Sequence, residues 1–202
     1  MDALPHPRLI SLDLNQVIWE QVFLAAPLVI IGTRSTEGRY DLAPKHMAMP
    51  LGWGNYFGFV CTPRHQTFRN IQREGVFTVS YPSPDQVLQT SLAAGPRTGE
   101  HLKPTLEALP TIPATTVEGL FLQDAYFYLE CRLDRIVEGF GEYGLIVGQI
   151  VAAHGNPDLM RGVDRDDQDL IHEFPLLVYL CPGRYARVDQ SFSFPFHTGF
   201  QQ

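Results

Sequence analysis

The chain has 202 residues, 45% of them hydrophobic and 18% charged, which gives enough apolar volume for a real core and excludes a disordered chain. A formal net charge of −7 argues against a general nucleic-acid binder, which presents a basic face, while a local basic pocket stays compatible with it. The first residues lack the basic start and apolar stretch of a signal peptide, and no apolar run approaches the roughly 20 residues of a membrane span, so a cytoplasmic protein without a membrane partner is expected.

In chain order, residues 1–14 read as an irregular arm. Asn15 to Leu24 forms one apolar face through Val17, Ile18, Val22 and Phe23 and predicts a short helix, broken at Ala26-Pro27. Leu28 to Thr33 is a buried strand, Ser35 to Gly38 a turn with Gly38 at positive φ, and Tyr40 to Met47 the returning strand. Pro50 to Gly54 is a loop and Tyr56 to Cys61 a third strand. Gln66 to Glu74 is a helix ended by Gly75, and Val76 to Tyr81 a fourth strand stopped by Pro82 and Pro84. Pro84 to Ala94 reads as helical, with proline at an early helix position. Gly95 to Pro113 is a polar, proline-interrupted connection with a helical turn at Thr105 to Leu109.

Tyr126 to Val137 alternates with a period of two and predicts a half-buried strand. Gly144 to Ala153 pairs with it through a glycine-rich turn. Asp164 to Asp169 is a solvated helix start, and Leu176 to Leu180 a final strand. The tail, residues 191–202, holds Phe192, Phe194, Phe196 and Phe200, which must bury their rings on their own barrel or on a second subunit. About seven strands with short helices predict a mainly β (α+β) fold, a β barrel with helical additions, in a single domain spanning residues 1–202.

Cys61, Cys131 and Cys181 show no Cys-x-x-Cys spacing and read as reduced core thiols. No second histidine or carboxylate stands at a ligand spacing from His46, so no metal site is expected. Gly-x-Ser-x-Gly, His-Glu-x-x-His, Walker and Gly-x-Gly-x-x-Gly patterns do not occur, and no catalytic side chain is assigned. His154 and His172 are isolated and read as structural.

Two segments carry the chemistry. Thr62-Pro63-Arg64-His65-Gln66-Thr67-Phe68-Arg69-Asn70 closes a strand and opens a helix. Arg64 offers a planar donor set that matches phosphate, Thr67 a hydroxyl, and the helix start its backbone N–H groups. Asn70 could instead hold the turn, and the whole segment also reads as a helix start with solvated basic residues. Lys45-His46-Met47-Ala48 combines polar residues with a small alanine beside which a flat ring could approach the backbone. It also reads as an ordinary strand with Lys45 and His46 exposed.

Taken together, the chain resembles the flavin reductase-like family, which has the FMN-binding split-barrel fold. Pro27-Leu28-Val29-Ile30-Ile31-Gly32-Thr33-Arg34 resembles its opening strand. Asp41-Leu42-Ala43-Pro44-Lys45-His46 resembles a pattern written Asn-Leu-Ala-Pro-Tyr-Ser. Thr67-Phe68-Arg69-Asn70-Ile71 followed by Gly75-Val76-Phe77-Thr78-Val79 resembles Thr-x-x-Asn-Ile…Gly-x-Phe-x-Val. Gly141 to Ile150 and Pro175 to Tyr185 resemble its later strands. The resemblance implies a homodimer with flavin sites near the subunit interface. It implies flavin contacts at Ala43, Pro44, Lys45, His46, Met47 and Ala48, and phosphate or ribityl contacts at Arg64, His65, Thr67 and Asn70.

It also implies an NAD(P)H:FMN oxidoreductase that passes electrons through bound or exchangeable FMN to a small-molecule substrate or acceptor. Lys45 and His46 depart from the family's aromatic and serine and would favour an anionic reduced flavin or substrate. Tyr143 stands where the family often has a histidine associated with nicotinamide handling. Two alternatives follow: a non-enzymatic FMN-binding protein, or an FMN enzyme acting on its own small anionic substrate.

Overall fold

The computed structural model describes residues 9–36, 38–98, 103–162 and 164–199. The expected helix over Asn15 to Leu24 does not form. Only a three-residue 3-10 turn, Ile18–Glu20, appears there, and the chain then runs extended as β1 (Leu24–Pro27). Val17, before the turn, offers no side-chain cap, none of the turn's residues is buried, and Pro27 keeps Ala26 extended. Without a buried face, helical periodicity alone does not hold a short helix.

The next elements are β2 (Val29–Arg34), β3 (Tyr40–Lys45), β4 (Ala48–Pro50), β5 (Tyr56–Cys61), α1 (Gln66–Glu74) and β6 (Val76–Tyr81), and all but β4 match the sequence closely. Gly38 (φ 73°) and Gly75 (φ 68°) take the left-handed positions expected of them, and Gly75 closes α1 by donating to the Ile71 carbonyl. The returning strand is shorter than expected: the chain bends at His46–Met47 and resumes as β4. A 3-10 turn, Pro84–Gln86, leads into α2 (Val87–Leu92), and another spans Pro104–Ala108.

The sequence reading missed a hairpin of two three-residue strands, β7 (Thr111–Pro113) and β8 (Leu120–Leu122), because three residues show no period. β9 (Phe127–Phe140) and β10 (Tyr143–Gly155) form the long pair, followed by α3 (Asp167–Glu173) and β11 (Leu176–Cys181). β11 is not the last strand. Pro182–Gly183 turns the chain into β12 (Arg184–Val188), with Gly183 at φ 71°.

The main sheet has the order β3-β2-β6-β9-β10-β5-β4, all neighbours antiparallel. Its two edge strands, β3 and β4, are consecutive in the chain and separated by two residues. Those residues span at most about 10 Å, so the sheet curls until its edges nearly meet. The result is a barrel split along one seam, at His46–Met47. A smaller sheet, β1-β11-β12, and the β7-β8 hairpin flank it.

The barrel encloses Val29, Ile31, Phe57, Phe59, Phe68, Phe77, Val79 and Ile146. A second cluster, Ile30, Leu42, Ala93, Leu109 and Leu122, packs α2 and β8 on the outer face of β2 and β3. β2 is therefore covered on both faces, which is why it reads as an unbroken apolar run. Cys61, Cys131 and Cys181 are free thiols, the first two buried.

Phe192, Phe194 and Phe196 remain 85%, 71% and 52% exposed, so they do not bury themselves on their own barrel. Residues 1–8, Glu37 and Phe200 lie outside the described residues. Among the described residues, no helix is long and apolar enough to cross a membrane.

Candidate functional site

The barrel's split edge and the start of α1 meet at one cavity. β5 ends at Cys61, and His65 N–H donates to the Thr62 carbonyl at 3.0 Å, which turns the chain into α1. His65 stands at the N-cap in an extended conformation and makes no side-chain cap. The first amides of this nine-residue helix are thus not claimed by a capping side chain and keep their partial positive charge. Phe68 and Ile71 anchor the helix in the core.

The cavity beside this helix start has a volume of about 340 Å³. It is lined by residues 43–45 of β3, residues 64–67 and 69 around the start of α1, and residues 93–95, 97 and 103 from the end of α2 and the connection after it. Five of these residues, Lys45, Arg64, Arg69, Arg97 and Lys103, are cationic. Against them stand Asp41, buried behind the wall and paired with Arg97 and Lys103, and Glu142, paired with Arg64 at 2.5 Å. On a chain of net charge −7, this is a local concentration of positive charge.

His65 reports that field. Partial burial lowers its pKa first, and the charges of Lys45, Lys103, Arg69 and Arg97 lower it further, so the ring is neutral at pH 7. Lys45 Nζ lies 3.3 Å from His65 Nδ1. An ammonium only donates, so Nδ1 accepts and the ring proton sits on Nε2. Arg69 Nη2 donates to the Arg64 carbonyl at 2.8 Å, which ties Arg69 to the turn.

A model of the flavin reductase like domain matches residues 22–187. The chain belongs to that family. Family membership supports a flavin-related oxidoreductase and supports flavin binding. No curated protein gives a significant match.

Solved structures with the same fold include three of similar length. Flavoredoxin from Methanosarcina acetivorans is 20% identical, with 95% of this chain and 97% of that one covered and a TM-score of 0.75. Nitrilotriacetate monooxygenase component B from Bacillus cereus is 17% identical, with 94% and 100% covered and a TM-score of 0.79. The FMN-binding protein from Thermus thermophilus, solved with bound 1-cyclohex-2-enone, is 20% identical, with 94% and 99% covered and a TM-score of 0.71. At these identities the likeness is one of fold.

Within this flavin reductase-like chain, the residues singled out from sequence fall in three places. Ala43, Pro44, Lys45, Arg64, His65 and Thr67 come together around the cavity. His46, Met47 and Ala48 sit on the seam outside it. The His46 ring lies 4.5 Å from the Tyr179 ring, and burial followed by the Lys45 charge lowers its pKa. Met47 is exposed, its carbonyl accepting from Val60 N–H at 2.8 Å, and Ala48 is buried opposite Phe59.

Asn70 is fully buried away from the cavity lining. It donates to Thr33 Oγ1 at 2.9 Å and accepts from Gln66 Nε2 at 2.7 Å, joining α1 to β2. It bonds side chains and fastens the helix to the sheet, in place of the turn-holding role that the sequence allowed.

Arg97 and Lys103 were missed. They lie in the polar connection after α2, where nothing in their spacing distinguishes them from solvated residues. A larger open groove of about 1200 Å³ runs between α3 and the tail. Its two arginines are already paired with carboxylates, Arg161 with Asp167 at 2.6 Å and Arg165 with Glu173, so it offers no surplus for an anion.

Proposed function

We propose that the protein is an FMN-binding oxidoreductase that takes electrons from NAD(P)H and passes them to a small-molecule acceptor. The observation that carries this reading is the cationic cavity at the start of α1, which opens beside the split edge of the barrel. The donor set suits a phosphate-bearing ring: helix amides and arginines for the phosphate, and main-chain edges of β3 and β4 for the polar rim of a flat ring. A bound flavin supplies the chemistry itself, accepting a hydride and releasing electrons. Arg64 and the first amides of α1 would hold the phosphate, with Lys45 and Arg97 adding positive charge. Neutral His65 offers its Nε2–H as a donor without adding repulsion to the surrounding cations. The name of the Thermus thermophilus protein, FMN-binding protein, agrees with this choice of flavin.

Homodimerisation belongs to the same proposal. The exposed rings of the tail, together with Trp19, Phe23 and Trp53, form apolar surface that a second copy would cover.

The test is a visible-absorbance titration of the purified protein with FMN and with riboflavin, followed by NADH under nitrogen. FMN bands that shift on binding and bleach with NADH support the oxidoreductase. Bands that persist favour the non-enzymatic FMN-binding protein, a reading that Tyr143 already recommends. Absence of any flavin binding would sink both.

A further inference from the structure

Behind the cavity stands one buried ammonium. The Lys103 side chain is only 9% exposed, and an ammonium carries three N–H donors. Its Nζ donates to the Leu42 carbonyl at 3.0 Å and to the Ala93 carbonyl at 3.1 Å, and lies 2.9 Å from Asp41 Oδ1 as an ion pair. Leu42 lies on β3, the strand that runs on to Lys45. Ala93 is the C-cap of α2. These are two different walls of the cavity, and Lys103 joins them through two hydrogen bonds and an ion pair. It contributes charge to the site while the fold itself holds its ammonium.

Asp41 is the partner that makes this possible. Its side chain is 4% exposed, and its second oxygen accepts from Arg97 Nη2. The resembling family pattern has asparagine at this position, which could accept one of these bonds but would supply no charge.

We propose that Asp41 and Lys103 form a buried clamp that ties β3 to the end of α2 and presents Arg97 in place for a phosphate group. Asp41 is then a positioning residue for the anion, although it is itself an anion. This inference rests on the phosphate-flavin reading of the same cavity.

Two effects oppose each other here. By Coulomb's law alone, removing the Asp41 charge would make the cavity more positive and tighten anion binding. Against this, a buried ammonium without its counter-ion gives up its proton. Burial already lowers the Lys103 pKa, with Asp41 opposing that shift and Arg97 and Lys45 adding to it. Lys45 reaches it from β3, Arg97 from its own connection, and His65 and Arg69 face the same cavity from α1. Asp41 is the carboxylate paired with it among the described residues. Loss of the proton would loosen the wall that Lys103 holds, so the clamp outweighs the simple field.

The experiment compares wild type with Asp41→Asn. One arm titrates lysine resonances by carbon NMR in flavin-free protein, with Lys103 assigned from the Lys103→Met spectrum. The other measures dissociation constants for FMN and riboflavin between about pH 6 and pH 9. In Asp41→Asn, the Lys103 titration is expected to move down by about a unit or more. FMN affinity is expected to fall roughly tenfold at about pH 8 and to recover in part near pH 6, while riboflavin affinity changes less than about threefold.

FMN affinity that is unchanged or tighter across the whole range, or a Lys103 titration identical in the two proteins, would overturn the clamp. Should Asp41→Asn fail to fold, Lys103→Met keeps Asp41 with Arg97 and carries the same expected selective loss of FMN, without the pH dependence. Unchanged FMN affinity in that variant would equally overturn it. A wild type that binds no flavin defeats the proposed function, whereas the Lys103 titration still decides the clamp.

Discussion

Two single residues show how burial sets the weight of a charge in this molecule. Arg64 is 77% exposed at its side chain and already paired with Glu142, so its contribution to an anion is discounted by water and by that competitor. Arg64→Ala is expected to weaken FMN binding by about 1 kcal/mol, roughly fivefold, and to leave riboflavin binding nearly unchanged. Equal losses for both ligands in a fluorescence titration would remove Arg64 from the phosphate site.

Glu130 is the opposite case, fully buried and closed to solvent. Burial alone would raise its pKa. Backbone and side-chain bonds from Thr115, a bond from His154 and a backbone bond from Thr116 outweigh that and hold it at about 2 against an ordinary 4.5. Val117 N–H donates as well, at 2.8 Å. A depressed carboxyl stabilises the fold above its unfolded pKa, and that stability drains away as pH falls from about 4.5 towards about 2. Glu130→Gln would turn an amide NH2 towards those donors and is expected to cost about 2–3 kcal/mol at neutral pH. Urea denaturation should show the gap from wild type narrowing below about pH 3.

The sequence placed Arg64, His65 and Thr67 correctly at one helix start. Glu130 escaped it, because an alternating strand assigns a glutamate to the solvated face. The β7–β8 connection, invisible to periodicity, closes over Glu130 through Thr115, Thr116 and Val117 and reverses the assignment.

Among the elements, those with a covered face and a marked end were legible. α1 has Phe68 and Ile71 buried and Gly75 at its stop, so its limits match residue for residue. The stretch Asn15 to Leu24 has an apolar face, but Val17, Val22 and Phe23 stay exposed among the described residues and no helix forms. Arg97 and Lys103 were illegible for a related reason: their role depends on the connection folding back over β3, a long-range event that local pattern does not encode.

Gly32 shows how closely the layers approach. A Cβ there would lie 2.2 Å from Thr78 Oγ1 and 2.3 Å from the Leu120 carbonyl, where Thr78 donates to Leu120 at 2.6 Å and fastens β8 to β6. Gly32→Ala is expected to destabilise by about 2–3 kcal/mol. Gly162→Ala meets no atom within 4 Å and should stay within about 0.5 kcal/mol of wild type. Matching urea midpoints for the two variants would mean that the hairpin is free to shift off β2.

For the molecule as a whole, the unexplained quantity is apolar surface. Ile10, Leu14 and Phe23 near the start of the described chain, Trp53 beside the β4 edge, and Phe192 and Phe194 in the tail are between 68% and 93% exposed. Scattered single residues of this kind are ordinary, but these come in runs, and two of the runs flank short β elements with open edges. β4 is an edge strand of the main sheet, and Met47 beside it and Met49 within it are also about half exposed. A second copy would cover such surface and its open main-chain groups together. Light scattering at micromolar concentration is therefore expected to give twice the mass of the chain. Replacing Phe192 and Phe194 together by serine should shift dissociation to higher protein concentration if the tail lies in the interface. A dimer whose dissociation is unchanged would place the contact on the Trp53 side instead. A monomer mass in wild type would leave the exposed rings without a second copy to cover them and remove homodimerisation from the proposal.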